Sequence, residues 1–148
     1  MVEFRTATTD DMSVLLDLAR ALYDEDGFTT TDAELAHNLA VLVDAGNTHL
    51  VLAAVDGAAS AFALTTTAFI LESGLVAELQ DLYVAPAARG RGVGTALIED
   101  AARWAQAQSL ALLEVVIAPN GRDVTHLFDY YRARGFVDDG RRILARPL

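Results

Sequence analysis

The fold of this chain is decided by the stretch Val84-Ala85-Pro86-Ala87-Ala88-Arg89-Gly90-Arg91-Gly92-Val93-Gly94-Thr95-Ala96-Leu97-Ile98. An apolar strand ends at Pro86, a short loop with two arginines and three glycines follows, and an amphipathic helix begins near Gly92. Glycine has no Cβ, so a ligand can approach the main chain closely. The first N–H groups of a helix lack internal partners and attract anions, and arginines add positive charge. The stretch therefore predicts a site for a phosphate group.

Two better-known phosphate loops are excluded by their spacing. A Walker loop requires the pattern GxxxxGK[ST], and all 11 basic residues of this chain are arginine. A dinucleotide-binding loop requires GxGxxG after the first strand, with an acidic residue about 20 positions later. The spacing here matches R-x-x-G-x-G, formed by Arg89, Gly92 and Gly94, deep in the chain. The candidate phosphate ligands are the loop residues Arg89, Gly90, Arg91, Gly92, Val93, Gly94 and Thr95; an ordinary strand–helix turn with incidental glycines is the alternative.

Composition indicates one domain of a cytoplasmic protein without a membrane partner. The chain has 148 residues and no cysteine, which excludes disulfides and thiol nucleophiles. It has no apolar run long enough to span a bilayer, and its first residues lack a signal-peptide pattern. Residues 1–81 carry 14 acidic and 2 basic side chains, whereas residues 82–148 carry 7 and 9. The acidic half would attract a cationic partner and repel nucleic acid, or it serves only solubility.

Hydrophobic periodicity predicts eleven elements in the order βααβββαβαββ. Apolar alternation and helical stripes place strands near 2–7, 48–55, 59–69, 76–84 and 112–117, helices near 10–27, 32–45, 92–108 and 122–134, and a closing hairpin over 136–146. This order favours a mixed α/β sheet flanked by about four helices over repeated βαβ units. In the fourth strand Leu79 has the opposite parity to Leu82 and Val84, which predicts a β-bulge.

The run from Leu79 to Gly94 closely resembles the acetyl-coenzyme-A motif of the GNAT superfamily of N-acetyltransferases. The segment Leu127-Phe128-Asp129-Tyr130-Tyr131-Arg132-Ala133-Arg134-Gly135-Phe136 resembles the second signature of that family, usually written LYxxxGF. The resemblance is strong over 76–136 and looser over the rest of the chain. It implies a single GNAT domain over 1–148, with a largely antiparallel sheet of six to seven strands.

The same resemblance implies direct transfer of an acetyl group from acetyl-CoA to an amine in a ternary complex. The main chain of the fourth strand at Leu82 and Val84 would pair with the pantetheine arm, and an N–H there would polarise the thioester carbonyl. Tyr83, between them, is also among the expected cofactor-binding residues. Asn120 lies near a pantetheine-binding asparagine of the family, but it precedes Tyr131 by 11 residues, which is longer than the usual spacing. Acetyl-CoA is the expected co-substrate, and no metal-ligand spacing is present.

Candidate proton-transfer groups come from the two signatures. Tyr131 lies on the apolar stripe of its helix and is the expected general acid; a core aromatic is the alternative. Glu78 is the first candidate for the general base, Asp81 the second and Glu72 the third. A spacing of three in a strand puts Glu78 and Asp81 on opposite faces unless the bulge intervenes, so at most one should face the acceptor. Asp81 is alternatively a ligand of the substrate ammonium or a brace of the bulge.

The acceptor is predicted from the acidic half of the chain. GNAT proteins usually build acceptor specificity where Asp24, Glu25 and Asp26 lie, and Glu72 is a further candidate. With the charge asymmetry, this position suggests a small-molecule amine such as a polyamine or an aminoglycoside. A protein N-terminus or lysine, a non-catalytic acyl-CoA sensor and a nucleotide-binding regulator are the alternatives. Dimers are common in the superfamily, so a homodimer is compatible with the resemblance.

Overall fold

A five-stranded mixed sheet forms the centre of the first of two compact units. The computed structural model describes residues 1–148, with Met1–Val116 in the first unit and Ile117–Leu148 in the second. The strands are β1 (Val2–Thr6), β2 (Thr48–Val55), β3 (Ala58–Ile70), β4 (Gly74–Val84) and β5 (Leu113–Val115), and the helices are α1 (Met12–Glu25), α2 (Asp32–Asp44), α3 (Val93–Ala107) and α4 (Thr125–Arg132). Strands β1 to β4 are antiparallel in chain order, and β5 is parallel to β4. The mixed α/β architecture is confirmed, with five strands instead of six to seven.

Local sequence signals set the boundaries of several elements. Asp56 and Gly57 join β2 to β3 with φ values of 52° and 85°, as a tight two-residue hairpin turn requires. Helix α2 begins at a capping box in which the Thr31 hydroxyl accepts from the N–H of Glu34, and the Glu34 carboxylate accepts from the N–H of Thr31. Both features depend on neighbouring residues only.

Helices cover both faces of the sheet. On one face α1 and α2 form an apolar cluster with the sheet, and its fully buried members include Leu15, Leu52, Phe62 and Leu64. Helix α3 packs against β2, β3 and β4 and buries Val93, Leu97, Ile98 and Ala101. The helical stripes predicted from the sequence therefore supply the contacts that place the α3 N-terminus beside the end of β4.

The predicted bulge of β4 is present at Gln80. Leu64 on β3 lies opposite Asp81, and the next residue, Thr65, lies opposite Leu79, so Gln80 is an extra residue. Directly opposed residues share a face of the sheet, and Glu78 is opposite Thr66. Glu78 and Asp81 therefore lie on the same face, which α1 and α2 cover. The bulge intervenes between them, which is the exception that the spacing of three allowed, because the extra residue restores the phase between them.

Beyond the bulge, β4 has an open edge. Its pairing with β5 ends at Leu79 and Val115, so no strand pairs with 80–84 on that side. The N–H of Ala85 donates to the carbonyl of Ser60 at 2.7 Å, and hydrogen-bonded pairs alternate along an antiparallel ladder. Leu82 and Val84 consequently direct their main-chain groups away from β3, toward the open edge.

The predicted closing hairpin over 136–146 is wrong, because no strand is formed there. The Asp138 carboxylate accepts from the N–H of Gly140 at 2.9 Å, and the Asp139 carboxylate accepts from the N–H of Arg141 at 3.1 Å. Such local side-chain bonds offer the main chain an alternative to a strand ladder. An isolated two-stranded hairpin is also only marginally stable in water.

No helix of the chain combines the length and the apolar character that a membrane-spanning segment needs.

Deletion of Gln80 would test whether the bulge sets the faces of β4. Without it, the residues before and after the bulge cannot both keep their faces, so either Leu79 or Tyr83 leaves its buried position. We expect the free energy of unfolding in urea to fall by about 2–5 kcal/mol, the range for losing a large apolar side chain. The matched control is Gln80→Ala, which keeps the bulge and loses one exposed hydrogen bond to Thr66. Equal stability of the two variants would contradict the prediction.

Candidate functional site

The loop between β4 and α3 forms an open cradle of main-chain groups. After a short 3₁₀ turn over Pro86–Ala88, Gly90 and Gly92 adopt φ values of 75° and 79°. Gly92 is the N-cap of α3 and has no side chain to accept from the first-turn N–H groups. A Cβ atom on Gly90 or Gly92 would meet no other atom within 4 Å. The N-terminus of α3 therefore opens into free space that suits an anion.

Both arginines of the loop make ion pairs inside the first unit. Arg89 donates from Nε to the carbonyl of Val84 at 2.8 Å and from one guanidinium nitrogen to both oxygens of Glu25 at 2.9 and 2.6 Å. Arg91 donates to Asp56 at 2.9 Å and contributes most to lowering the pKa of that carboxyl to about 2. The two side chains hold the loop in place, and Arg89 connects it to the last residue of α1.

The cradle continues directly into the open edge of β4. Val93 is buried and anchors the first turn of α3, with Gly94 and Thr95 following it in that turn. Tyr83 is buried on the α1/α2 face, and the Arg89 guanidinium lies 5.8 Å from the centre of its ring. The outward-facing main chain of Leu82 and Val84 and the N-terminus of α3 therefore follow one another closely along the chain. Both belong to the predicted cofactor-binding residues.

A cavity of about 120 Å³ lies on the other face of β4, between the sheet and the two N-terminal helices. Its polar lining consists of Tyr23, Thr30, Asn38 and Asp81. Its apolar lining consists of Ala19, Leu35, Leu39, Leu42, Phe62 and Leu64. The volume is enough for a few heavy atoms, and Asp81 is the carboxylate that reaches it. Glu78 shares the face but does not line the cavity.

Burial shifts the ionisation of both carboxylates on this face. For Asp81, burial is the main cause that raises its pKa to about 6; a hydrogen bond from the Tyr23 hydroxyl opposes the rise, and the charges of Asp26 and Glu78 add to it. Burial, with the charge of Glu114 on β5, also raises the pKa of Glu78. Asp81 is thus poised to take up or release a proton close to neutral pH.

The acidic residues at the end of α1 are partly used for internal pairing. Asp24 pairs with Arg20 at 2.8 Å, and Glu25 pairs with Arg89. The charge of Asp26 acts on both Tyr23 and Asp81, so the structure brings this acid close to the cavity. Glu72 lies in the turn at the other end of β4, nine residues before Asp81, which is up to ~30 Å along an extended strand.

Tyr131 and Asn120 both belong to the second unit. Tyr131 lies on α4, with its ring 5.2 Å from Tyr130 and 5.3 Å from Phe136 in edge-on geometry. Asn120 has a φ of 48° in the turn that follows Pro119, where the carbonyl of Pro119 accepts from the N–H of Arg122. Their predicted contacts with acetyl-CoA remain predictions.

Three cavity residues were missed in the sequence: Tyr23, Thr30 and Asn38. Tyr23 had a detectable signal, because it follows the buried Ala19 by four residues and so continues the apolar stripe of α1. The helix predicted near 10–27 ends at Glu25 in the structure, so Tyr23 lies in its last turn. Thr30 and Asn38 carry no such signal, since an exposed loop and an exposed helix position look ordinary in sequence.

Comparison with known proteins identifies the family. The family model described as "Acetyltransferase (GNAT) family" matches residues 12–136, whereas no curated protein sequence matches the chain. Among solved structures, the aminoglycoside 6′-N-acetyltransferase AAC(6′)-IG from Acinetobacter haemolyticus is 23% identical with a TM-score of 0.85, covering 99% of this chain and 98% of that one. AAC(6′)-Iy in complex with CoA is 21% identical with a TM-score of 0.84, covering 99% and 95%. An integron cassette protein from a salt-marsh metagenome is 25% identical with a TM-score of 0.84, covering 98% and 90%. With this match over most of its length, the chain belongs to the acetyltransferase (GNAT) family.

Proposed function

We propose that this acetyltransferase transfers the acetyl group of acetyl-CoA to a primary amine of a small cationic acceptor, such as a polyamine or an aminoglycoside. The observation that supports the proposal is that β4 has two features of a catalytic site close to its bulge. Within four residues, β4 exposes the main chain of Leu82 and Val84 at an open edge and places Asp81 in a cavity on the α1/α2 face. A thioester on the edge and an amine in the cavity would thus meet at one strand.

Acetyl-CoA would bind along the edge and over the α3 N-terminus. Its pantetheine arm would extend the sheet by pairing with Leu82 and Val84, as peptides do at open strand edges. Its diphosphate would take the N–H groups of the cradle from Gly90 to Thr95, and Asn120 would add a contact to the arm. The structures of AAC(6′)-Iy with CoA and with the bisubstrate analogue CoA-S-monomethyl-acetylneamine support this choice of cofactor. The family model spans residues of both units, which supports a single functional domain.

Asp81 is our choice for the general base, ahead of Glu78. It lines the cavity, and a pKa of about 6 suits a base that must accept a proton near neutral pH. The acceptor would enter as an ammonium ion, give its proton to Asp81 and attack the thioester carbonyl as a neutral amine. An outward N–H of β4 would stabilise the oxyanion. As the C–S bond breaks, Tyr131 would donate a proton to the departing thiolate, and the nitrogen of the new amide would return its surplus proton to the Tyr131 phenolate.

The proposed class of acceptor is inferred from the negative charge near the cavity and over the first 81 residues. The first 81 residues carry a large acidic excess, Asp81 lines the cavity, and the charge of Asp26 acts on Asp81. Such a field favours a ligand with several positive charges. The aminoglycoside acetyltransferases among the similar structures support this class. A ribosomal-protein-alanine N-acetyltransferase from Brucella melitensis, 19% identical with a TM-score of 0.78, supports a protein N-terminus as the second candidate.

A thiol-release assay with acetyl-CoA tests the acceptor class. The panel is spermidine, an aminoglycoside, a neutral amino-acid amide and a peptide that begins with alanine. We expect kcat/KM to be at least about 10-fold higher for the polycations and to fall as salt screens the acidic field. Transfer to the peptide alone would establish the second candidate. Tight CoA binding without transfer to any amine would indicate a sensor.

Replacing Gly92 with alanine tests the cradle. The new methyl group would project into the open space at the α3 N-terminus, where we place the diphosphate. We expect the Kd for CoA to rise by about 10-fold, or 1.4 kcal/mol. Gly74→Ala is the matched control, because Gly74 has a similar φ of 74° and equally open surroundings but is the first residue of β4, at the opposite end of that strand from the cradle. The cradle is wrongly placed if both variants bind CoA equally well.

Replacing Asp81 with asparagine tests the base. The carboxylate accepts a proton only when it is ionised, so wild-type kcat/KM should fall as the pH drops through about 6. The variant should lose about 10²- to 10⁴-fold in turnover, and its kcat/KM should show no acidic limb, that is, no fall near that pH. Glu78→Gln is the control and should keep the limb. A limb that disappears in Glu78→Gln and persists in Asp81→Asn would reverse the assignment.

A further inference from the structure

We propose that Tyr23 is a positioning residue for Asp81: its hydroxyl donates to one carboxylate oxygen and leaves the other to accept the proton of an ammonium group in the cavity. This inference rests on the proposed role of Asp81 as the general base. Tyr23 and Asp81 line the same cavity from α1 and from β4. The Tyr23 hydroxyl is the neighbour that lowers the pKa of Asp81, against the effect of burial. A carboxylate held at one oxygen has a defined direction at the other, which a flexible side chain lacks.

The position of Tyr23 is itself fixed on both sides. Tyr23 lies in the last turn of α1, next to the buried Leu22. The Phe28 ring packs against it with centres 4.8 Å apart, and the N–H of Phe28 donates to the carbonyl of Tyr23 at 2.9 Å. Two residues further on, Glu25 pairs with Arg89 in the loop that follows β4. The hydroxyl is therefore supported by the packing of α1 and of the connection after it.

Burial and the charges around Tyr23 and Asp81 keep the Tyr23 hydroxyl protonated, so that it can donate to Asp81. Burial is the main cause that raises the pKa of Tyr23 to about 12, so its proton stays in place throughout the working pH range. The titratable neighbours of Asp81 are Tyr23, Asp26 after α1 and Glu78 on β4, and the two acids disfavour its ionised form. The other elements contribute Asn38 and Thr30, with apolar side chains of α2 and β3. The Tyr23 hydroxyl is thus the contact that favours the carboxylate form.

The substitution Tyr23→Phe separates this role from simple packing. Phenylalanine keeps the ring against Phe28 and removes only the donor. Without the donor, less of Asp81 is ionised at a given pH, so the acidic limb of kcat/KM should move to higher pH by about 1 unit. At pH values above the limb, turnover should approach that of the wild type. A residue that served packing alone would lower activity at all pH values and leave the limb where it was.

The control is Phe28→Leu, which weakens the packing on Tyr23 without touching the hydrogen bond. It should leave the limb within about 0.2 pH units of the wild type, a difference too small to count as a lost hydrogen bond. The acidic limb of kcat/KM in Tyr23→Phe is compared with the pH profile of Asp81→Asn, which should have no such limb. An unchanged limb in Tyr23→Phe, with the limb abolished in Asp81→Asn, would overturn the proposal.

A measurement without substrate distinguishes this inference from the proposed function. The carboxyl carbon of Asp81, assigned by its loss in Asp81→Asn, is titrated by ¹³C NMR in the wild type and in Tyr23→Phe. An upward shift of about 1 unit in the variant supports the hydrogen bond even if no amine in the panel is acetylated. Equal titration of the two proteins overturns the role of Tyr23, even if the wild type transfers acetyl groups to polycations.

Discussion

The site depends on one irregularity, the extra residue in β4. A strand with regular alternation would place Glu78 and Asp81 on opposite faces and would offer its neighbour an uninterrupted ladder. With Gln80 inserted, both carboxylates lie on the α1/α2 face, and the pairing with β5 stops at Leu79. A bulge bends its strand and increases the local twist. The same distortion therefore accounts for the open edge and for the acid in the cavity.

The last turn of α1 connects the two sides of β4. Tyr23 lines the cavity together with Asp81, and Glu25 binds Arg89 at the start of the phosphate-type loop. Arg89 also donates to the carbonyl of Val84, the last residue of the open edge. An exposed ion pair contributes little to stability by itself, usually no more than about 1 kcal/mol. Its consequence here is geometric, because it sets where the loop and the helix end lie relative to the strand.

Predictions from local signals were confirmed where neighbouring residues alone decide the structure. The Asp56–Gly57 turn, the end of β4 just before Pro86, the glycine N-cap of α3 and the bulge all follow from short patterns. The closing hairpin failed for the same local reason, since Asp138 and Asp139 bind the main chain of their own turn. The faces of Glu78 and Asp81 could not be settled from a spacing of three, because the answer depends on which residue the bulge makes extra.

The sequence by itself determined the family, the order of the elements as far as α4 and the glycine-rich loop between β4 and α3, because each is written in contiguous residues with defined spacing. Only the tertiary structure decided which carboxylate reaches the cavity and what touches it. Asp81 owes its raised pKa to burial beneath α1 and α2, and its hydroxyl partner, Tyr23, is 58 positions away in the chain. Contacts of that kind arise from packing between distant segments, and no local pattern encodes them.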